Sequence, residues 1–403
     1  MSSIQLGDIG KVSMCKRVLK HETSSSGDIP FYKISTFGGR ADVFITQKLY
    51  DKYRSKYSYP KRGDILISAA GTVGKTVVYD GSPAYFQDSN IVWIANDENV
   101  VLNRYLYYFY KTEPWRTTNG STITRIYNEN LRDTKLDVPN LEDQAKIADV
   151  LEKLDRKVEL NNKTNAELET LARDLYNYWF VQFEFPDASG RPYKTAGGAM
   201  VYNEKLNKYM PKGWDTVSLS SKLTTRLGGT PATGNKDYWE DGDIPWLSSA
   251  EAANFPIVSS DAFITEEGLG NSAATLLPRG SVIVSIVRYI RPSILAINAS
   301  INQSIVGILE TEWLKNAYIY PFIQSEIPRL MAARTGAQQP HINKRLIDDT
   351  ILIIPDKDTL VRYYAIAAPL YDKISKLSVE TNRLLSLRNW LLPMLMGGQI
   401  EVG

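Results

Sequence analysis

The sequence predicts an α+β protein with two pseudo-repeated mixed α/β domains, each followed by a long helix, and the two helices pair as an antiparallel coiled coil. Three observations predict this fold: the sequence contains an internal repeat, each copy begins with short β-type segments, and each copy ends with an apolar heptad pattern. A chain of 403 residues is also too long for one ordinary hydrophobic core, so at least two domains are expected.

The internal repeat is visible as short matches that recur in one order about 216 residues apart. GDIP begins at Gly27 and again at Gly242, and RGDILIS at Arg62 faces RGSVIVS at Arg279. One block without gaps sets these residues against each other: Gly120, Ile126, Asp133, Thr134 and Pro139 against Gly336, Ile342, Asp349, Thr350 and Pro355. Matches in a constant order at a nearly constant spacing indicate a tandem duplication.

Each half follows the same plan. Segments rich in Val, Ile, Tyr and Phe, broken about every 8 to 12 residues by Gly, Pro, Asn or Asp, predict a mixed domain with many short strands. A helical pattern follows each domain, and a Gly- and Pro-rich connector leads into the second half. The predicted bounds are 1–140 for the first domain, 141–182 for the central helix, 183–213 for the connector, 214–356 for the second domain and 357–396 for the C-terminal helix.

Both predicted helices carry a seam in which spacings of four and three residues alternate. The first seam is Ile147, Leu151, Leu154, Val158, Asn161, Asn165, Leu168, Ala172, Leu175 and Trp179, and the second is Tyr363, Ala367, Leu370, Ile374, Leu377, Thr381, Leu384, Arg388, Leu391 and Leu395. A helix of about 40 residues is about 60 Å long and cannot bury such a stripe alone, so its own copy is the most available partner. The polar residues Asn161, Asn165 and Thr381 either fix the register or face solvent.

Composition argues against several classes of protein. Cys15 is the only cysteine, which excludes internal disulfides and Cys-based zinc sites, and His21 and His341 are the only histidines, which argues against a metal site. The sequence has no apolar run of about 18 residues and no secretory signal, so we expect a soluble, cytoplasmic protein that binds no membrane. The net charge of +2 neither favours nor excludes nucleic acid as a partner.

The stretch KLYDKYRSKYSYPKR, from Lys48 to Arg62, interleaves basic residues with four tyrosines. Basic and aromatic side chains together can contact phosphates and sugars. A solvated face that keeps the protein soluble is an equally good interpretation of this stretch.

The stretch SAAGTVGKT, from Ser68 to Thr76, resembles a phosphate-binding loop. That motif requires glycine at the position of Ala69, and it should open a helix, whereas VVYDG follows here and predicts a strand and a turn. Aligned by their first serines, SAAGTVGKT faces SIVRYIRPS, which sets Gly71 against Arg288 and Gly74 against Arg291. A phosphate cradle would not survive this exchange, whereas a variable reading segment on a shared scaffold would.

Two similar scaffolds with different polar loops indicate two modules that read different targets. Arg and Lys bond guanine edges, Asn and Gln bond adenine edges, and Ser and Thr bond either, so such loops suit readout of the DNA major groove. The first-half candidates are Tyr32, Lys33, Ser35, Thr36, Arg40, Thr72, Lys75, Gln87, Arg125 and Tyr127. The second-half candidates are Thr230, Thr233, Asn235, Lys236, Ser248, Ser249, Arg288, Tyr289, Arg291, Gln303, Gln338, Gln339, His341 and Lys344.

No motif for chemistry stands out. An amino-methyltransferase would need a Pro-Pro-Tyr/Phe loop, and the chain contains no Pro-Pro. Adjacent carboxylates such as Asp348 and Asp349 point apart in a strand or helix. We therefore expect no catalytic residue and no cofactor in this chain.

Several longer stretches accompany the duplicated plan: PKGW, GGTPATGNKDYWEDGDIPWLSSAE, ITEEGLGNSAATLLPRGSVIVS, and the paired helix openings VPNLEDQAKIADVLEKLDRKV and IPDKDTLVRYYAIAAPLYDKI. With these stretches the chain resembles the specificity (S) subunit of type I restriction-modification enzymes over essentially its whole length. Their order and pairing carry the resemblance more than any one of them.

The resemblance implies that each globular part is a target recognition domain that reads one half of a split sequence in double-stranded DNA. It implies that the paired helices set the unread spacer and dock two methyltransferase subunits, which carry S-adenosylmethionine. The resemblance also implies that motor and nuclease subunits, which use ATP and magnesium, can join the complex. Two other classes stay open at this point: a stand-alone DNA-binding regulator, which would bind DNA tightly alone, and a coiled-coil assembly protein, whose DNA affinity would be weak and show little salt dependence.

Overall fold

A computed structural model describes residues 2–115, 125–288, 290–335 and 341–402. The chain forms two compact units, the first from Met1–Lys157 with Leu384–Gly403 and the second from Val158–Arg383. Each long helix therefore contributes one part to each unit. Among the described residues no helix is both long enough and apolar enough to cross a membrane.

The first unit holds a four-stranded and a three-stranded sheet. Its elements are β1 Ser2–Gln5, α1 Leu6–Ile9, β2 Gly10–Met14, β3 Ile29–Tyr32, β4 Val43–Ile45, α2 Gln47–Lys56, β5 Ile65–Ser68, β6 Thr76–Val78, β7 Tyr85–Phe86, β8 Ile91–Asn96, α3 Asn103–Lys111, α4 Asn128–Asp133, β9 Lys135–Val138 and the first part of α5 Leu141–Tyr176. The strand orders are β2-β8-β5-β6 and β4-β3-β7, and β1 pairs with β9. Within the smaller sheet β3 runs parallel to β7 and antiparallel to β4.

The second unit repeats this strand order and adds a fourth strand to the smaller sheet. Its elements are β10 Met200–Asn203, β11 Lys208–Pro211, β12 Asp215–Ser218, β13 Thr225–Leu227, β14 Ile244–Leu247, β15 Ala262–Ile264, α6 Glu266–Gly270, β16 Thr275–Leu277, β17 Val282–Ser285, β18 Arg291–Ile294, β19 Ala299–Ile301, β20 Ile305–Ile308, α7 Asn316–Ala332, α8 Lys344–Asp348, β21 Ile351–Ile354 and most of α9 Lys357–Met396. The sheets are β13-β20-β17-β18 and β15-β14-β19-β16, and β12 pairs with β21. Here β14 runs parallel to β19, as β3 does to β7.

The central strands of both larger sheets are buried on both faces. All four residues of β5 and all four of β17 are buried, which explains why ILIS and VIVS are continuous apolar runs rather than alternating ones. Helix α3 of the first unit and helix α7 of the second pack into the same cores as these strands. This packing fixes the strand ends, from which the candidate site is built.

Polar seam residues form side-chain hydrogen bonds between the two long helices within the second unit. Asn161 is 1% exposed, and its Nδ2 donates to Glu380 Oε2 at 2.9 Å. Asn165 Nδ2 donates to Ser378 Oγ at 2.9 Å. Moving forward along α5 from Asn161 to Asn165 therefore means moving backward along α9 from Glu380 to Ser378. The solvent-facing interpretation is therefore wrong for Asn161.

The seam ends differently in the first unit. Arg388 of α9 donates from Nη1 to Asp155 Oδ1 of α5 at 2.6 Å, and Tyr108 OH and Lys111 Nζ donate to Asp155 Oδ2. Burial would raise the pKa of Asp155, but these donors outweigh it and lower the pKa. The seam position of Arg388 thus holds a partly buried ion pair instead of an apolar contact.

The connector differs from the predicted loop. Helix α5 is prolonged by a π-helical turn, Asn177–Val181, and a hairpin of β10 and β11 lies inside 183–213. Phe185 is buried and stacks on Trp214 at 5.0 Å and on Tyr193 at 4.6 Å. This segment is rich in Gly and Pro, but its aromatic residues pack into the core of the second unit.

Candidate nucleic-acid interface

The predicted reading residues of the first unit lie mainly on two segments, the loop after β3 and the β5–β6 hairpin. In the loop, Thr36 Oγ1 accepts from Lys33 N at 3.1 Å, and Lys33 Nζ lies 3.0 Å from Asp42 Oδ2. Gln87, directly after β7, accepts through Oε1 from Ile34 N at 2.9 Å. The parallel pairing of β3 with β7 explains this meeting, because both strands end at the same edge.

The β5–β6 hairpin contains the stretch SAAGTVGKT. Gly71 and Gly74 have φ angles of +68° and +84°, which L side chains rarely adopt, and a Cβ on Gly74 would lie 2.5 Å from Trp115 Nε1. Lys75 Nζ donates to Phe37 O at 2.6 Å, which ties the hairpin to the loop after β3. The strand that follows confirms that this stretch is not a phosphate loop.

The β17–β18 hairpin of the second unit corrects the alignment of the halves. Arg291 lies opposite Ser285 in the ladder, whereas Ser68 N donates to the carbonyl of Lys75 at 2.9 Å. Arg291 therefore corresponds to Lys75 and not to Gly74, because the second hairpin loop is one residue shorter. Both units place a cation at this position.

Arg288 has a φ of +58°, at the same distance after its strand as Gly71. A non-glycine residue in this region of φ and ψ costs roughly 1–2 kcal/mol, so the backbone is held there by its surroundings. Arg334 Nη1 donates to Arg288 O at 2.8 Å and fixes this peptide group. The exposed side chain of Arg288 is thus presented by a strained backbone.

A cleft of about 420 Å³ lies beside the second hairpin. Its lining residues are Ser249, Ala250, Ala253, Ser285, Val287, Arg288 and Arg291. Two guanidinium groups with serine hydroxyls are donors suited to guanine edges and to phosphate oxygens. The structure therefore brings the candidates Ser249, Arg288 and Arg291 together at one cleft.

Glu251 lies between Ala250 and Ala253, which line this cleft, and the candidate residues did not include it. Its Oε2 accepts from Ser248 N and Oγ, both at 2.8 Å, and its Oε1 accepts from Asp261 N at 2.9 Å and Ser260 Oγ at 3.0 Å. Burial would raise the pKa of Glu251, but these hydrogen bonds lower it. The Ser-x-x-Glu spacing, typical of capped turns, is the sequence signal that could have found it.

A third segment reaches each hairpin from the far side. Arg125 forms a β-bridge with Ala70, and Ile126 N donates to Ala69 O at 2.8 Å. His341 forms the matching bridge with Val287, and Ile342 N donates to Ile286 O at 3.0 Å. Arg125 Nη2 also donates to Ser89 O at 3.1 Å, so part of its hydrogen-bonding capacity is used within the unit.

The remaining candidates occupy other places. Thr230 Oγ1 donates to Gln303 Oε1 at 2.5 Å, Asn235 Oδ1 accepts from Asp237 N at 3.2 Å, and Lys236 pairs with Glu240 at 2.9 Å. Lys344 pairs with Asp348 at 2.6 Å. Further candidates are exposed, namely Ser35, Arg40, Thr72, Tyr127 and Thr233, and Tyr32 is half-buried with its ring stacked on Phe86. Tyr289, Gln338 and Gln339 lie outside the described residues.

Three of the four tyrosines of the basic stretch pack against the interior of the first unit. Tyr50 and Tyr53 of α2 are buried, and Tyr59 OH donates to Ala84 O at 2.7 Å. Arg54 lies over the Tyr59 ring at 5.4 Å. These three rings are packed within the unit, whereas the Tyr57 ring is exposed together with the cations of this stretch.

Comparison with known proteins identifies the family. The sequence model of the type I restriction modification DNA specificity domain matches the chain twice, at residues 1–170 and 211–382. The chain belongs to this family. As a specificity subunit of a type I restriction-modification system, it recognises DNA and is not itself catalytic.

Named relatives agree with the family. The chain is 58% identical to a putative type I restriction enzyme specificity subunit of Haemophilus influenzae over 152 residues, which cover 38% of this chain and 40% of that protein. It is 25% identical to the type I restriction enzyme MjaIX specificity subunit of Methanocaldococcus jannaschii over 98% of this chain and 96% of that protein. The crystal structure of a type I S subunit from M. genitalium has the same fold, with a TM-score of 0.60 at 15% identity over 98% of this chain and 95% of that one.

Proposed function

We propose that each unit of this specificity subunit reads one half of a bipartite double-stranded DNA target. The observation that carries the proposal is that the same set of segments meets in both units with different side chains. Lys75 beside two glycines stands in the first unit, and Arg288 with Arg291 in the second. A shared scaffold with different donors is what two readers of different half-sites require.

The long helices set the distance between the two readings. Their seams pair antiparallel along their length as a coiled coil, supported by the opposed order of Asn161–Glu380 and Asn165–Ser378. Two readers on a spacer of fixed length bind only half-sites at one separation, as in dimeric DNA-binding proteins. The bases between the half-sites are then left unread.

The helices also dock two methyltransferase subunits, which supply S-adenosylmethionine and the methylation site. Large apolar side chains of α5 and α9 that face solvent, among them Leu171, Val361 and Trp390, support such docking. A net charge of +2 is small for a DNA-binding chain, which agrees with partner subunits that neutralise many of the phosphates. Motor and nuclease subunits with ATP and magnesium complete the restriction complex.

Sequencing of modified bases in the host genome tests this function directly. We compare the genome with this gene intact, deleted, and restored by plasmid. A two-part motif with a fixed gap should lose its methylation on deletion and regain it on restoration. Methylation that stays unchanged in a host that expresses the methyltransferase would contradict the proposal and favour a regulator or an assembly protein.

A further inference from the structure

A second cleft of the second unit is lined by cations that the reading surface does not use. It has a volume of about 350 Å³, and its lining residues are Arg279, Ala296, Ser375, Lys376, Val379, Glu380 and Arg383. Arg279 comes from the turn before β17, and the last five residues come from α9. The cleft therefore lies where the reading domain meets the long helix within this unit.

Neither arginine of this cleft has a partner for its guanidinium group among the described residues. Over the described part of the chain, the guanidinium groups of Arg279 and Arg383 form neither an ion pair nor a hydrogen bond, and both residues are exposed. Lys376 is paired with Asp372 at 2.6 Å, and Glu380 accepts from Asn161. The lining side chains comprise three cations and one carboxylate, so their formal charge is +2. The cleft is therefore a local concentration of positive charge as large as the net charge of the whole chain.

The position of the cleft relates it to the reading surface. Arg279 precedes β17, whose other end carries the Arg288 hairpin, and the chain from Arg279 to Arg288 spans at most about 30 Å. That length is less than one turn of duplex DNA, about 34 Å. A duplex carries one negative charge per about 1.7 Å of its axis, so a target read at the hairpin has phosphates within reach of the cleft.

We propose that this cleft binds backbone phosphate of the DNA target through Arg279 and Arg383, and that it reads no base. The inference rests on the proposed function, because it needs DNA seated on the second unit. Arginine suits the task because its planar fork donates two hydrogen bonds to one phosphate. The cleft anchors DNA beside the helix, and it adds affinity without adding sequence specificity.

The test uses the assembled complex of this chain with its methyltransferase subunits and a labelled duplex that contains the genomic motif. We compare wild type with the double variant Arg279→Gln/Arg383→Gln in titrations at several salt concentrations. The slope of log affinity against log salt should fall by about 0.9 for each lost phosphate contact, and the affinity at low salt should fall about tenfold or more. The methylated motif should stay the same.

Two further variants make the result specific. Arg173→Gln/Lys373→Gln removes the same charge from exposed positions of α5 and α9 outside the cleft, and it should leave the slope close to wild type. Arg279→Lys/Arg383→Lys keeps the charge and should keep most of the slope. A thermal unfolding curve like that of wild type shows that the double variant is folded.

Each other outcome overturns the proposal. An unchanged slope means that the cleft contacts no phosphate, and a changed motif means that it reads bases. A normal slope with methyltransferase subunits lost on gel filtration means that the cleft binds an acidic protein surface. If the wild-type complex itself shows no preference for the motif, the proposed function fails, and this failure is distinct from a failure of the cleft.

Discussion

The β5–β6 and β17–β18 hairpins share a left-handed turn and differ in the side chains that they present. Three residues after the strand, Gly71 and Arg288 both take a left-handed conformation, with φ of +68° and +58°. In the first unit this position leaves the backbone bare, so a ligand can approach closely. In the second unit a long cation stands there at an energetic cost. The left-handed turn is therefore shared by the two hairpins, while the side chain that it presents differs.

The residues that surround the two hairpins also differ between the units. Trp115 fills the space at Gly74 in the first unit, whereas Arg334 holds the peptide at Arg288 in the second. After the caps Thr46 and Thr265, the first unit has the basic ten-residue helix α2, and the second has the five-residue α6 with two glutamates. Corresponding positions thus carry opposite charge.

The largest expected effect is a loss of stability caused by a substitution in the first hairpin, at a position where the second hairpin has no counterpart glycine. Gly74→Val should lower the free energy of unfolding by about 2–4 kcal/mol, since it combines a left-handed φ with a clash against Trp115. Gly63→Val is the control, because Gly63 has a φ of +94° and nothing within 4 Å of an added Cβ. Its substitution therefore costs only the backbone strain and involves no clash. Denaturant unfolding measures both, and equal losses would show that the contact with Trp115 does not matter.

The next effect separates the two cations at the shared ladder position. Arg291→Ala and Lys75→Ala should each cost about 1–3 kcal/mol of discrimination in one half-site, and not in the same half. Arg288→Ala should affect the half read by Arg291. Methylation of a library of randomised half-sites measures the preference. The idea of one reader per half-site is wrong if Arg291→Ala and Lys75→Ala relax the same half.

A smaller effect compares the two supports of the reading loops. Glu251→Gln should lower stability by about 1–2 kcal/mol at neutral pH, because it removes the charge and sets an NH2 group against two of the four donors. The folded-state pKa of Glu251 is lowered, so its contribution is present above the unfolded pKa of about 4.3 and is lost as pH falls through the folded value. The difference between variant and wild type should therefore shrink below about pH 4.5.

The matching support in the first unit is the Thr36 hydroxyl, which does not titrate. Thr36→Val is the control for Glu251→Gln, and its stability loss relative to wild type should not change over the same pH range. Thermal unfolding between about pH 7 and pH 3 measures both variants. A loss for Glu251→Gln that is constant with pH would contradict the role of its charge.

The smallest effect has opposite signs in stability and binding. Arg288→Gly should raise the free energy of unfolding by up to about 1 kcal/mol, because relief of the left-handed backbone exceeds the entropy that glycine adds to the unfolded chain. The same change should weaken DNA binding. Arg288→Ala keeps a Cβ and should weaken binding without the gain in stability. A destabilised Arg288→Gly variant would show that the backbone there is not strained.

Periodic features of the chain could be predicted from sequence. Helix α9 spans the predicted 357–396, and α5 begins at the predicted residue 141, because a heptad seam bounded by Pro and Gly leaves few alternatives. The runs ILIS and VIVS became β5 and β17. Long, repeated patterns determine these elements locally.

Features that depend on three-dimensional packing could not be predicted in this way. The tyrosines of α2 read as surface residues because basic residues separate them, yet Tyr50 and Tyr53 turn inward. The match of Gly74 with Arg291 failed because one hairpin loop is shorter by a residue, which only the ladder reveals. Arg279 and Arg383 meet at one cleft although they lie far apart in the chain.

The left-handed Arg288 has a consequence for engineering of this protein. A selection for thermal stability alone would favour glycine at this position, and a one-base change in an arginine codon can supply it. The resulting protein would express well and assemble while it had lost part of its target preference. Stabilised versions of such recognition subunits should therefore be screened for the motif they methylate, and not only for their melting temperature.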